Sequence, residues 1–204
     1  ASRAWPMAAL DPEDLVSVEP FTVVETALRR LPTDLPDRAL VIGAGAQGLL
    51  MSLALKRRGA AVHISDLNRD RVDFACEVLD VLALDPDNEL HFPLVVDSTG
   101  VPTAMAEAIR RSEVGATIVE LGLDGRSFEL DATTLVRNQL VLRGSLTYDH
   151  PRDFAWSTAL VSDGAVSPGR VVSHEFPLVE AQAAFDACAS APGKTWIRMP
   201  TNAG

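Results

Sequence analysis

The sequence has 204 residues, with 28 acidic side chains against 18 basic ones, a net charge of −10, and only two cysteines, Cys76 and Cys188. This length predicts one domain with a modest extension, and the negative charge argues against a nucleic-acid surface, because phosphate binding relies on clustered Lys and Arg. The cysteines allow neither a disulfide framework nor a zinc knuckle, and no apolar run is long enough for a membrane helix. We therefore expect a soluble, cytoplasmic protein without nucleic-acid or membrane partners.

Residues 1–36 are predicted to form a lead-in segment with one helix, because Phe21, Val24, Leu28 and Leu31 fall at helical spacing. From 37 to 170, short β-branched runs alternate with longer amphipathic stretches, which is typical of βαβ units and a parallel sheet. The expected strands are 39–42, 61–65, 94–97, 117–121 and 141–145, with a weaker one near 81–84. The expected helices are 47–58, 69–79, 103–112, 153–162 and 179–189.

Two parts of the chain depart from this pattern. Residues 171–204 are predicted to be a return segment, in which strands at 171–176 and 195–199 flank one helix and need not join the parallel sheet. Between Val81 and Leu94 only residues 84–93 are available for a parallel crossover, which usually takes a dozen or more residues. We therefore expect no helix there and an irregular third strand.

A glycine-rich turn follows the first strand and opens the next helix, with the sequence Gly-Ala-Gly-Ala-Gln-Gly at 43–48. In this context, Gly43 permits the tight turn, Gly45 lets the backbone approach a pyrophosphate, and Gly48 allows close helix packing. The helix start offers free N–H groups to phosphates. Asp66, at the end of the second strand, can accept hydrogen bonds from both ribose hydroxyls and repels a 2′-phosphate, which favours NAD over NADP.

The glycine-rich turn and the arginines near it are open to other interpretations. The turn could belong to an α/β protein that binds nothing, or to an S-adenosylmethionine site, but the latter usually has a denser glycine run after an acidic residue. Arg69 and Arg71 could lie over an adenine, pair with Asp66, or belong to a solvated helix face. A short-chain reductase is excluded, because Tyr148 is followed four residues later by Arg152 rather than by lysine.

Nine short blocks occur in a fixed order along the chain, at 18–21, 41–48, 65–71, 95–102, 119–123, 142–145, 174–178, 184–185 and 193–194. Together they resemble the medium-chain dehydrogenase/reductase family, especially its zinc-dependent polyol and sorbitol branch. The resemblance implies a doubly wound, Rossmann-like α/β sheet. It also implies that the short flanking segments belong with a GroES-like catalytic domain that this chain lacks.

The resemblance assigns a set of residues to the cofactor: Gly43, Gly45, Ala46, Gln47, Gly48, Asp66, Arg71, Ser98, Thr99, Leu121, Gly122, Leu123, Ser145 and Leu146. The glycine loop would bind the pyrophosphate, Asp66 the adenosine ribose, and Arg71 the adenine side. Ser98 and Thr99 would lie near the adenosine half, and the residues from Leu121 onward would line the nicotinamide. No catalytic residue is assigned.

Glu19 resembles the glutamate of a Glu-Pro pair that sits at the catalytic zinc in the polyol branch. Its partners there, a Cys and a His-Glu pair, come from the catalytic domain, and a zinc site needs three or four converging ligands. We therefore expect zinc only with that domain and no metal site in this chain, and we interpret Glu19 as a carboxylate near a helix N-terminus.

The function implied by the resemblance is the NAD(H)-binding portion of an oxidoreductase. Hydride would pass between the nicotinamide and a small alcohol, polyol or carbonyl substrate. The family also implies a homodimer joined at a sheet edge, with the strand at 141–145 or its neighbour as the candidate edge. The alternative is a non-catalytic nucleotide-binding or sensing module.

Overall fold

A computed structural model describes residues 5–7, 10–31 and 35–200 of the chain. Its main sheet contains six parallel strands: β1 Arg38–Ile42, β2 Ala61–Ser65, β3 Leu82–Ala83, β4 Phe92–Asp97, β5 Ser112–Glu120 and β6 Val141–Gly144. Their order is β3-β2-β1-β4-β5-β6, so the winding reverses between β1 and β4. This confirms the predicted doubly wound, Rossmann-like sheet, whose ligand crevice is expected at the carboxyl ends of the strands around that reversal.

The helices on the two faces of this sheet are α1 Pro12–Arg29, α2 Ala46–Arg57, α3 Arg69–Leu79, α4 Pro102–Arg110, α5 Ala132–Arg137 and α6 Arg152–Ser162, and α7 Ala181–Cys188 lies in the return segment. Side chains alternate between the faces of a strand. Val41 and Val119 accordingly belong to a buried cluster with α1, α2, α3 and α6. Leu40 and Ile118 belong to a second cluster with α4 on the opposite face. None of the described helices combines the length and apolarity needed to cross a bilayer.

Helix α1 begins earlier than predicted. It starts at Pro12, whose missing N–H suits a first helical position, and it continues through Pro20. Pro20 removes one internal hydrogen bond, but the buried side chains of Val18 and Phe21 on either side pack into the core and keep the helix continuous. The predicted helical residue Leu31 lies beyond the helix end. Part of the predicted lead-in, including 32–34, lies outside the described residues.

The connection from β3 to β4 contains no helix in the described chain, as predicted. A buried arginine contacts this loop instead: Arg111 is 1% exposed. Its guanidinium donates to the carbonyl oxygens of Pro86 at 3.0 Å and Leu90 at 3.4 Å, and to that of Asn88. The Arg111 guanidinium therefore fixes the loop, because it donates hydrogen bonds to carbonyl oxygens that have no partner in a helix or strand.

The return segment forms its own small sheet, described up to residue 200. β7 Val172–Pro177 and β8 Lys194–Arg198 pair in parallel with each other and not with the main sheet. Elsewhere, two predicted boundaries are wrong: the helix expected to reach 112 ends at Arg110, and β5 already begins at Ser112 rather than near 117.

Candidate functional site

The glycine-rich turn connects β1 to α2 through a backbone that only glycine adopts easily. Gly43 has φ +97°, and its amide donates to the carbonyl oxygen of Ser65 at 2.7 Å. A Cβ atom on Gly48 would lie 1.8 Å from the Gly43 carbonyl oxygen. The first turn of α2 therefore packs directly on the loop, and no larger residue fits at position 48.

The amino end of α2 is open to a ligand. A Cβ atom on Gly45 would meet nothing within 4 Å, and no side chain caps the first amides of the helix. These amides lack intrahelical partners and carry a partial positive charge. The buried Oε1 atom of Gln47 also has no hydrogen-bond partner in the part of the chain that is described. This arrangement fits an anionic diphosphate.

Asp66 follows β2 and faces the glycine turn. Its Oδ2 accepts a hydrogen bond from the Ala44 amide at 2.7 Å, and its Oδ1 accepts one from the Asn68 amide at 2.8 Å. Two backbone donors thus fix the carboxylate at the tip of the strand. A carboxylate has further acceptor positions, so Asp66 can still accept hydrogen bonds from a diol.

The two arginines of α3 have other partners than Asp66. Arg69 pairs with Asp73 at 2.9 Å. The Arg71 guanidinium donates to three carbonyl oxygens at the end of α7, namely those of Cys188 at 3.3 Å, Ala189 at 2.8 Å and Ala191 at 3.2 Å. The suggested pairing of either arginine with Asp66 is therefore wrong, and the adenine contact of Arg71 stays a prediction.

The turn after β4 contacts the glycine turn. The Ser98 hydroxyl donates to the carbonyl oxygens of Ile42 at 3.0 Å and Gly43 at 3.1 Å. The Thr99 hydroxyl and amide both donate to Oδ1 of Asp97, at 2.7 and 2.8 Å. The predicted residues Ser98 and Thr99 therefore lie beside the α2 amino end.

The turns after β5 and β6 complete the same edge of the sheet. A Cβ atom on Gly122 would lie 1.9 Å from the Gly100 nitrogen, so the turns after β4 and β5 touch. The Ser145 hydroxyl is buried without a partner in the described chain. Leu123 and Leu146 are 81% and 66% exposed, and they present apolar surface where the nicotinamide is predicted. Apart from Arg71, the predicted cofactor residues thus share one edge.

A pair of acidic residues at this edge was not predicted. Asp97 and Glu120 end β4 and β5 and are partners in the strand register. Burial, and next to it the negative charge of Asp97, raise the pKa of Glu120 to about 7, although the Gly122 amide acts against this. Both acids follow an apolar run, but only the register of the sheet shows that they are neighbours.

Glu19 lies exposed in the middle of α1, so its interpretation as a carboxylate near a helix N-terminus is wrong. It is next to Tyr148, whose pKa is raised by burial and then by the charge and hydrogen bonding of Glu19. Among the described residues, no three His, Cys, Asp or Glu side chains converge. These residues therefore do not form a zinc site by themselves.

Comparison with known proteins connects this geometry to a family. No protein-family model matches the chain. The chain is 27% identical over 184 residues to L-galactonate-5-dehydrogenase of Escherichia coli K12, covering 84% of this chain and 54% of the relative. It is 29% identical over 189 residues to sorbitol dehydrogenase of Ovis aries, covering 85% and 53%. The chain thus spans about half the length of the curated relatives it matches.

Solved structures confirm the fold. An alcohol dehydrogenase of Escherichia coli CFT073 in complex with NADH has a TM-score of 0.82 at 20% identity, covering 97% of this chain and 62% of that one. TarJ of S. aureus in complex with NADPH has a TM-score of 0.79 at 18% identity, covering 98% and 68%. At these identities the likeness concerns the fold alone.

Proposed function

We propose, from the premise that this chain belongs to the zinc-type medium-chain dehydrogenase/reductase family, that it is the NAD(H)-binding portion of an alcohol or polyol dehydrogenase. The bound nicotinamide would supply the hydride chemistry, with an alcohol, polyol or carbonyl compound as the substrate of the whole protein. The residues described above would bind and orient the cofactor.

The hydrogen bond between the Ala44 amide and Asp66 carries this proposal. It places a carboxylate directly beside the amino end of α2, so the chain offers an anion site and a diol acceptor next to each other, as an adenosine diphosphate requires. The negative charge of Asp66 would repel a 2′-phosphate. We therefore propose NAD(H) rather than NADP(H) as the cofactor.

A non-catalytic nucleotide-binding module would use the same loop and carboxylate. The curated relatives named above are dehydrogenases, which favours an enzyme over such a module. The exposed leucines Leu123 and Leu146 also support the enzyme, because an apolar wall would shield the reactive ring of a nicotinamide from water.

Titration of the chain with NADH, followed by cofactor fluorescence, tests the proposal. We expect saturable binding, and a loss of affinity of about 10- to 100-fold in Asp66→Ala, as for removal of charge-assisted hydrogen bonds. Asp70→Ala is the matched control, because Asp70 is exposed on α3 and carries the same charge. Absence of saturable binding, or equal losses in both variants, would contradict the proposal.

We further propose that the protein is a cytoplasmic homodimer joined through β6. This strand lies at an edge of the sheet and exposes Val141 and Leu142, and an unpaired strand edge can accept a second strand. Sedimentation of the chain tests the assembly, and a monomer at every concentration would contradict it.

A further inference from the structure

Two carboxyl groups are neighbours in the strand register at the ends of β4 and β5. Asp97 is 0% exposed. Its Oδ2 atom and the Oε1 atom of Glu120 are both buried and lack a hydrogen-bond donor within the described residues, although the two carboxyl groups lie within hydrogen-bonding reach of each other. Ionised carboxylates only accept hydrogen bonds. One proton between the two groups would satisfy both atoms and remove the repulsion of two buried charges.

Among the described residues, no cation pairs with either carboxyl group. On the neighbouring strands, the register partner of Asp97 is Ile42 of β1, and that of Glu120 is Gly144 of β6. Arg143 pairs with Val119, so its side chain projects from the opposite face. In the loop after β5, Asp124 pairs with Arg126. No ion pair reaches Asp97 or Glu120 among the residues that are described, so these two carboxyl groups depend on each other.

The turn between β4 and α4 provides backbone and hydroxyl donors to Asp97. The Thr99 amide and hydroxyl and the Gly100 amide donate to Oδ1 of Asp97. This leaves Oδ2 of Asp97 for Glu120. Burial raises the pKa of Glu120 to about 7. The pair would therefore gain or lose this proton near neutral pH.

Asp97 also determines the spacing of the two turns that line the cleft. Its side chain fixes the turn after β4, while its carbonyl oxygen accepts hydrogen bonds from the amides of Leu121 at 2.9 Å and Gly122 at 3.3 Å. Gly100 and Gly122 pack without room for a Cβ atom. A small separation of the ends of β4 and β5 would therefore move the two turns that follow these strands.

We propose that Asp97 and Glu120 share one proton and act as a positioning pair for the dinucleotide. With the proton present, the Glu120 carboxyl donates to Asp97 and the two turns stay together. When the proton leaves to solvent, the two carboxylates repel each other, and their added charge also disfavours a diphosphate at the α2 amino end. This inference rests on the proposed NAD(H) binding, and it predicts weaker binding at alkaline pH.

The test is the dissociation constant for NADH as a function of pH in the full chain. From about pH 6 to about pH 8 we expect an increase of up to about tenfold, since roughly one protein in ten keeps a proton one unit above its pKa. In Glu120→Gln the amide is a permanent donor to Asp97, so the dissociation constant should stay near the acidic value of the wild type. Asp97→Asn keeps Oδ1 as an acceptor and donates to ionised Glu120, so its profile should also be flat.

Glu77→Gln is the matched control, because Glu77 is exposed on α3, and it should retain the wild-type pH dependence. A flat wild-type profile, or an unchanged slope in both Glu120→Gln and Asp97→Asn, would overturn the positioning role while leaving NADH binding established. Absence of saturable NADH binding at any pH would instead overturn the proposed function, and this role with it. The two failures are therefore distinct.

Discussion

Nη2 of Arg71 donates to the carbonyl oxygen of Ala189 over 2.8 Å, so helix α3 of the nucleotide-binding half contacts the end of α7 in the return segment. The side-chain Nδ2 of the neighbouring Asn68 also donates to the carbonyl oxygen of Ser190, at 3.1 Å. The segment that carries Asp66 is thereby connected to the C-terminal part of the chain.

Removal of this contact should loosen the turn after α7. In Arg71→Ala we expect faster hydrogen exchange at the amides of Ser190 and Ala191, because the carbonyl oxygens of this turn lose a cation that binds three of them. Arg69→Ala is the control, since Arg69 pairs only with Asp73 on its own helix. Because the Arg71 guanidinium is already engaged, NADH affinity should fall less than in Asp66→Ala. An equal fall would indicate that Arg71 contacts the adenine directly.

Gly45 and Gly48 should respond differently to alanine. Gly48→Ala places a methyl group on the Gly43 carbonyl oxygen, so we expect a lower melting temperature as well as lost NADH binding. The methyl group of Gly45→Ala would lie in open space, and the backbone at this position has a φ of −76°, which alanine adopts readily. This variant should therefore keep the wild-type melting temperature and lose affinity only, because its methyl group would occupy the space of the diphosphate. A similar melting temperature in the two variants would contradict this assignment.

Arg111 should be important for stability in spite of its distance from the cleft. Arg111→Met removes a buried guanidinium that donates to three carbonyl oxygens of this loop, and we expect a loss of about 2–3 kcal/mol in the free energy of unfolding, measured in urea. Hydrogen exchange should increase in the loop between β3 and β4. Arg110→Met removes an exposed ion pair with Glu107 and should change stability little. Comparable losses in both variants would show that the loop does not depend on Arg111.

Asp153 should make the protein sensitive to acid. Burial alone would raise the pKa of this carboxyl, but the Asp149 amide, Arg152, Thr26 and Arg29 outweigh it and hold the pKa well below its ordinary value. A lowered pKa in the folded state stabilises the fold above the unfolded pKa of about 4, and this contribution is lost as the pH falls.

The stability difference between wild type and Asp153→Asn should therefore be largest near neutral pH and shrink below about pH 4. Unfolding in urea across this range measures it. Asp163→Asn, at the exposed end of the same helix, should show no such trend. A difference that is constant with pH would mean that the network around Asp153 does not depend on its charge.

The sequence predicts best those elements in which apolar residues recur at a regular spacing and whose ends are marked by a capping or turn residue. β2 and α3 begin and end at the predicted residues, and Asn68 caps α3 by accepting from the Asp70 amide at 3.0 Å. By contrast, α5 has six residues, none of them buried, so it carries no apolar stripe. Its only local signal is Asp131, which accepts from the Thr134 amide at 2.9 Å.

Within the candidate site, residues that follow strands in a parallel sheet could be predicted to meet, because the carboxyl ends share one edge. The contacts of Arg71 could not, since α7 lies far from it in the sequence. The Asp97–Glu120 pair likewise depends on which residues of β4 and β5 are opposite each other, a relationship that tertiary packing sets.

The two edge strands of the main sheet differ in whether a further strand could pair with them. β3 has only two residues, too short to template another strand, whereas β6 presents a longer edge with apolar side chains. Growth of the main sheet by strand addition is consequently one-sided. If two copies join β6 to β6 around a two-fold axis, each uses the receptive edge of its main sheet, and this sheet-to-sheet contact closes upon itself instead of extending into a filament.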